Sequence, residues 1–474
     1  MIFMKTQDLK TQDTGLQQAG ASCCSFSRRT WCLPGLRRLG VVGGGSLLLS
    51  LTTLHANEAL DVLEGKKDAE SVVLPPAPED AEGEGEGEGE GEALIPLSDE
   101  WASSPLDSIW AKAVLFDDPS NPWVQQLAIN GLFHWSGAWG EAQPTGAADI
   151  DLDGTRTRRA RLGARLKAFG NTEIEAVAEF AGDSNFNGIE RLKGTTRFLD
   201  NAYVSYGKMR PGFTTEYRTD PQRMLTPERS FLVNMVAPAN TLGLMVGQDT
   251  ERFDWGLGWF SSDNDSNIGG IEGDGFLLAN LAYETVEKVE GGAPIRTRWH
   301  ADYIYNFDDN QNPAIPRYNV AGRKSANGKQ LITRNPAFRH LFSTGVEMEQ
   351  GKFSFAGDFI VASGDTDVWG LSLTPSYWAI PGTLKVVGRY HYADTDDAGG
   401  LIGGMGVGSD PYFDSTPVFV GDEYQSFYLG ANLHLYRDDL ILMNGVEHVI
   451  LNDQAGGGFD TDAWIWHSGA RLSF

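Results

Sequence analysis

"TLKVVGRYHY", residues 383–392, sets Leu384, Val386, Gly388, Tyr390 and Tyr392 on one face of an extended chain. Lys385, Val387, Arg389 and His391 fall on the other. A strand turns successive side chains to opposite faces, so this period of two predicts a strand with one apolar and one polar face. "FYLGANLHLY", 427–436, repeats the pattern, and so does the terminal "WIWHSGARLSF", 464–474. From Trp123 to Phe474 the alternation recurs in about sixteen segments. Among them are 123–140, 155–169, 173–182, 198–207, 212–219 and 240–249 near the start, and 424–436, 440–451 and 461–474 at the end. Short connections, such as 170–172, 351–352 and 438–439, take turns with long ones, such as 141–154, 183–197, 220–239, 308–340 and 395–423.

That rhythm is the layout of a transmembrane antiparallel β-barrel of about 16 strands, all-β in class. Closure of an even-numbered barrel leaves no strand edge in lipid. Aromatic residues near segment ends, among them Trp139, Tyr206, Trp259 and Trp369, suit the two membrane interfaces. A soluble sandwich or propeller would show more uniform loops and a core shared between sheets. The terminal Phe474 closing an alternating strand also favours the barrel.

The chain before Trp123 has a different composition. Arg28, Arg29, Arg37 and Arg38 precede the apolar stretch Leu39 to Leu54, and "LHA" ends at Ala56. Residues 1–56 are therefore expected to be an export signal region. All three cysteines, Cys23, Cys24 and Cys32, fall inside it. The exported remainder has no thiol for redox or thiolate–metal chemistry. Residues 57–122 hold 18 acids against 3 bases and include "EDAEGEGEGEGEGE", 79–92. They are expected to be a disordered, periplasmic, low-complexity linker. A short helix near "DEWASSPLDSIWAKAVLF" is possible within it. The barrel region itself, 123–474, carries 44 acids and 29 bases.

Against that acidity stands "RTRRARLGARLK", 156–167, with five arginines and a lysine. Ala160, Leu162, Ala164, Leu166 and Ala168 form its apolar face, and Arg159, Arg161, Arg165 and Lys167 its polar one. A cation at the lipid midplane costs about 2–4 kcal/mol, so the four bases are expected to face the lumen. Arg158 shares parity with the lipid face but lies near the loop end of the strand. The next segment, "TEIEAVAEF", turns Glu173, Glu175 and Glu179 toward the same lumen. Parity alone leaves two readings open: a neutralised salt-bridge ladder, or an arginine-lined anion pore.

"RTRRARLGARLKAF", "FLDNAYVSY" (198–206) and "TPERSFL" (226–232), in this order and spacing, resemble the phosphate-selective porin family of O and P type. The resemblance implies a trimeric outer-membrane barrel that passes phosphate and related anions by passive diffusion, with no cofactor and no enzymatic activity. By position it implies constriction arginines at Arg158 and Arg159, with Arg161 and Arg165 on the same strand. It further implies Arg229 in an inward-folded loop, an aspartate at Asp200, and an entry ladder at Arg317 and Arg323. "TEYRTDPQRML", 215–225, departs from the Gly/Phe/Pro-rich run usual there. The competing reading is a general or cation-preferring porin whose basic strand is neutralised by neighbouring acids.

Other motifs carry less. "DIDLDG", 149–154, resembles the front of a calcium loop through Asp149, Asp151 and Asp153, but residue 160 is Ala where the twelfth-position Glu belongs. A plain Asx-rich turn is the alternative. The histidines are scattered without metal-ligand spacing. No P-loop or G-x-S-x-G is present, and no Ser–His pair, including His467–Ser468, forms a catalytic constellation.

Overall fold

A computed structural model describes residues 107–474, apart from 147, 182–185, 200, 264–266, 308–336, 398, 404–418 and 454–459. Sixteen strands close on themselves. They are β1 (Val124–Pro144), β2 (Ile150–Ala168), β3 (Thr172–Glu179), β4 (Gly188–Phe198), β5 (Ala202–Met209), β6 (Thr241–Asp249), β7 (Phe253–Phe260) and β8 (Phe276–Glu287). Then follow β9 (Ile295–Asn306), β10 (Phe338–Gln350), β11 (Phe353–Gly364), β12 (Asp367–Ile380), β13 (Leu384–Thr395), β14 (Glu423–Tyr436), β15 (Leu440–Asn452) and β16 (Thr461–Ser473). Each pairs antiparallel with its sequence neighbours, and β16 closes on β1 with Thr461 opposite Pro144 and Ser473 opposite Leu132.

The faces are those of a membrane barrel. Leu429 is 67% exposed and Trp464 58%, whereas the alternating His467 and Arg471 are 2% and 1% exposed. Apolar side chains thus point outward and polar ones inward, the reverse of a soluble core. β1, with 21 residues, and β2, with 19, exceed the 9–11 residues or so that cross a bilayer. Their loop-side ends project beyond it, so the connection expected over 141–154 shrinks to 145–149.

Two sequence expectations shift. The segment 183–197, read as a loop, contains β4; the segment 212–219, read as a strand, lies inside the barrel and includes a helical turn, Thr215–Arg218. "GIERLKGTTRF" hides its alternation because its outward face holds Gly194 and Thr196 beside Leu192, so little contrast separates the two faces. The count of sixteen survives because one missed strand offsets one that does not form.

Residues 107–117, expected to belong to the linker, are folded. Asp107–Trp110 is a helical turn, and Val114–Asp117 is a short strand that pairs with β1, Val114 opposite Ala128 and Asp117 opposite Gln126. The pairing has a cause. β16 ends opposite Leu132, so the start of β1 has no barrel neighbour on that side. Gly131 and Phe474 exchange backbone hydrogen bonds at 2.9 and 3.1 Å, and the short strand covers the edge below them. A Cβ on Gly131 would lie 2.5 Å from the tip of the Phe474 ring, so any side chain there would push that ring aside. Trp110 Nε1 donates to Ser473 O at 2.7 Å, and its ring lies 4.9 Å from that of Tyr436. Asp107 accepts from Tyr436 and, at 3.0 Å, from Arg437. Removing residues 107–117 is therefore expected to expose the β1 edge and promote aggregation of refolded barrel. Light scattering during detergent refolding, compared with the full chain, checks this; equal scattering would show that the edge needs no cover.

Candidate functional site

The basic strand is placed by a β-bulge. His134 lies opposite Arg159, but the next residue, Trp135, lies opposite Thr157, so Arg158 is the extra residue. A bulge breaks the period of two and re-aims the side chains around it. Below it Arg159, Arg161, Arg165 and Lys167 face the lumen; above it Arg156 does. Arg158, whose parity suggested the lipid face, also turns inward. Its Nε lies 2.5 Å from Glu228 Oε1, and Arg156 reaches the same oxygen at 3.3 Å. Burial acts to raise the Glu228 carboxyl, but the guanidiniums of Arg158, Arg156 and Arg159 outweigh it and hold it well below the usual carboxylate range.

The other expected residues are placed as follows. Arg159 is buried with one guanidinium nitrogen 2.9 Å from His134 Nδ1. Arg161 pairs with Glu179 and Glu190, each at 2.7 Å, and Arg165 with Glu173 at 2.8 Å. Arg229 does lie in an inward segment, 210–240, but it is spent on that segment itself. It donates to Glu216 O at 3.2 Å and Thr219 O at 2.9 Å and lies over the Tyr217 ring. Asp200, Arg317 and Arg323 lie outside the described residues. Asp151 and Asp153 alternate along β2, so "DIDLDG" is mostly strand and does not wrap an ion. Among the described residues no three acidic, His or Cys groups gather as metal ligands.

The inward segment is held from two sides by residues that sequence reading passed over. On β9 and β11, Asp302 accepts from Thr214 N at 2.9 Å, and Asp358 accepts from Thr215 N at 2.8 Å and Glu216 N at 3.0 Å. His300 bridges them, 3.1 Å from Asp358 Oδ1 and 2.8 Å from Thr215 Oγ1. Arg218 closes on Asp302. Thr214 sits at φ 63°, a costly conformation for a β-branched residue that these bonds enforce. Further round the wall, on β13, β16 and β14, Arg389 donates to Glu228 O at 2.8 Å, Arg471 to Gln222 O and Met224 O at 2.6 Å, and Asn432 to Leu225 O at 2.9 Å. Glu447 holds Arg389 at 3.1 Å and His467 at 3.0 Å. Burial pushes the Glu216 carboxyl up, against the pull of Arg389 and of the Ser230 hydrogen bonds.

Above these anchors the segment is apolar. Phe231–Val236 forms a buried helix, continued by Ala237 and Ala239. It packs with inward residues near the long-loop ends, such as Phe260, Phe276, Ile304, Phe338, Leu451 and Ile465. This apolar cluster reaches every strand except β3 and β4. Along that remaining wall lie half-buried charges: Arg161, Glu179, Glu190, Arg191 and Arg210. On the short-turn side of the segment a cavity of about 960 Å³ opens, lined among others by Arg191, Lys193, Arg223, Glu347 and Glu349.

A closed sixteen-strand barrel with an apolar exterior, a polar lumen and a long segment folded into it has the architecture of an outer-membrane porin. Residues 141–275 match the family model described as phosphate-selective porin O and P, so the resemblance carried by residues 156–232 is borne out over that part of the chain. No curated protein matches the sequence. Similar solved structures include the high-pH structure of Pseudomonas putida OprB, at 13% identity, 73% of this chain, 94% of that one and TM-score 0.47. Another is the anion-selective porin from Comamonas acidovorans, at 15% identity, 73% and 99% coverage and TM-score 0.47. The channel DcaP of Acinetobacter baumannii is similar at 13% identity, 76% and 99% coverage and TM-score 0.43.

Proposed function

We propose that this porin passes small anions, phosphate among them, by passive diffusion along its basic β2–β4 wall, as a homotrimer without a cofactor. The observation that carries the reading is the apolar packing of the inward segment against every wall but β3 and β4. A charged solute avoids the apolar side and is led along β3 and β4, where Arg191 projects, beside Arg156, Arg158 and Arg161 of the adjoining β2 and Arg210 at the start of the inward segment. Guanidiniums suit tetrahedral oxyanions because they offer paired N–H donors. Arg159, clamped to His134, sits within the basic row, and Arg165, on Glu173, extends it toward the short-turn end. Arg229 shapes the segment that sets the width.

One observation favours the weakly selective alternative. Arg156, Arg158, Arg161 and Arg165 each have a carboxylate within 3.3 Å. A fully neutralised wall would pass ions by size. Reversal potential in a salt gradient separates the two. Replacing Arg158 and Arg161 by Ala leaves Glu228 and Glu190 only the more distant Arg156 and Arg210, at 3.3 and 3.7 Å, and is expected to lower anion preference by about 1–3 kcal/mol, the scale of a charge-assisted hydrogen bond. A double variant with the wild-type chloride-to-potassium ratio and unchanged phosphate block would favour the unselective reading.

A further inference from the structure

We infer that the cavity on the short-turn side of the inward segment is a binding site for zwitterions, solutes such as amino acids and short peptides that carry separated opposite charges. The inference rests on the porin reading in one respect: the solute must enter through the barrel.

Some charges are left over when the lumen's ion pairs are made. On β4, Arg191 takes Glu175 at 3.1 Å and Asp220 at 3.7 Å, and Arg197 takes Asp249 at 3.1 Å. Lys193, between them on the same face, has Glu175 as its register partner, but Arg191 holds that carboxylate. Among the described residues Lys193 makes no ion pair. The inverse holds on β10. Glu347 and Glu349 face the lumen opposite Arg298 and Arg296 in register. Those arginines turn away, Arg298 to Asp254 at 2.5 Å and Arg296 to Glu284 at 3.3 Å. Glu347 and Glu349 make no ion pair among the described residues, and both are exposed to the cavity. The neighbouring Asp358 is committed to the backbone of Thr215 and Glu216.

β4 and β10 are six strands apart in a ring of sixteen, which sets them on opposing parts of the wall. An uncommitted cation therefore faces two uncommitted anions across one cavity. The exposed Arg223 of the inward segment lines the same space. A simple anion satisfies one wall and is repelled by the other. A solute with an ammonium and a carboxylate at its two ends satisfies both, and the field between the walls orients it.

The test is osmotic swelling of proteoliposomes in isosmotic glycylglycine, against arabinose as an uncharged solute of similar mass. Glycylglycine is expected to enter ~2- to 5-fold faster, the span of a solvated charge pair. Lys193→Gln and Glu347→Gln should each bring the ratio near one while the arabinose rate stays unchanged. The double exchange Lys193→Glu with Glu347→Lys should restore it, because the solute binds turned end for end. No swelling in either solute would sink the porin reading itself. Swelling with equal rates, or variants that keep the wild-type ratio, would overturn the zwitterion site alone.

Discussion

Replacing Glu447 by Ala is expected to destabilise the barrel by about 3–5 kcal/mol, the usual cost of breaking a buried ion pair from one side. Glu447 is 1% exposed and holds both Arg389 and His467. Its removal leaves the buried Arg389 only the more distant Glu216, at 3.6 Å, as a counter-charge and loosens it from Thr226 and Glu228, which it anchors at 3.2 and 2.8 Å. The measurement is the temperature at which the folded, fast-migrating band is lost on a detergent gel. Glu447→Gln keeps the shape and part of the hydrogen bonding, so it should fall between wild type and Ala. An Ala variant as stable as the wild type would show that water enters and solvates Arg389.

The second large effect is expected at the other anchor. Replacing Asp302 and Asp358 together by Ala strands the backbone N–H groups of Thr214, Thr215 and Glu216. Each buried donor without an acceptor costs about 1–3 kcal/mol. Thr214 also loses the bond that keeps it at φ 63°, so relaxation of the turn favours release. The first part of the inward segment should swing free, single-channel conductance should rise, and protease should cut near residues 214–219. The anchors at Arg389, Arg471 and Asn432 remain, so the barrel itself should stay folded. Unchanged conductance with an uncut segment would show that those anchors suffice alone.

The barrel was legible because lipid and lumen impose opposite demands on alternate residues. "FYLGANLHLY" can satisfy both only as a strand. Legibility failed where that contrast is weak. β4 faces outward with Gly194 and Thr196, so its period of two is masked. "GFTTEYRT", 212–219, happens to alternate, yet it lies in the lumen, where no lipid enforces a face. The basic row of β2 was readable up to Arg159 and inverted beyond it, because a one-residue bulge leaves no mark in composition. The anchors His300, Asp302, Asp358, Arg389, Glu447 and Arg471 are polar residues spread over five strands, His300 and Asp302 together on β9. They become a constellation only when the barrel closes and the segment folds in. Their one sequence signal is a titratable side chain at inward parity, which many other lumen residues share. For the same reason Arg229 was recognisable as belonging to the inward segment, while its use within that segment was not.

The short strand Val114–Asp117 and its neighbours bear on the order of assembly. The strand needs β1, Trp110 needs Ser473 at the end of β16, and Asp107 needs Tyr436 and Arg437 at the end of β14. Residues 107–117 therefore find their full set of partners only after β16 has arrived. This segment, made before the strands it joins, docks after them, and its docking reports that the ring is complete. A barrel stalled with β16 unpaired would leave Trp110 and the Val114–Asp117 strand exposed as a recognisable flag of unfinished closure.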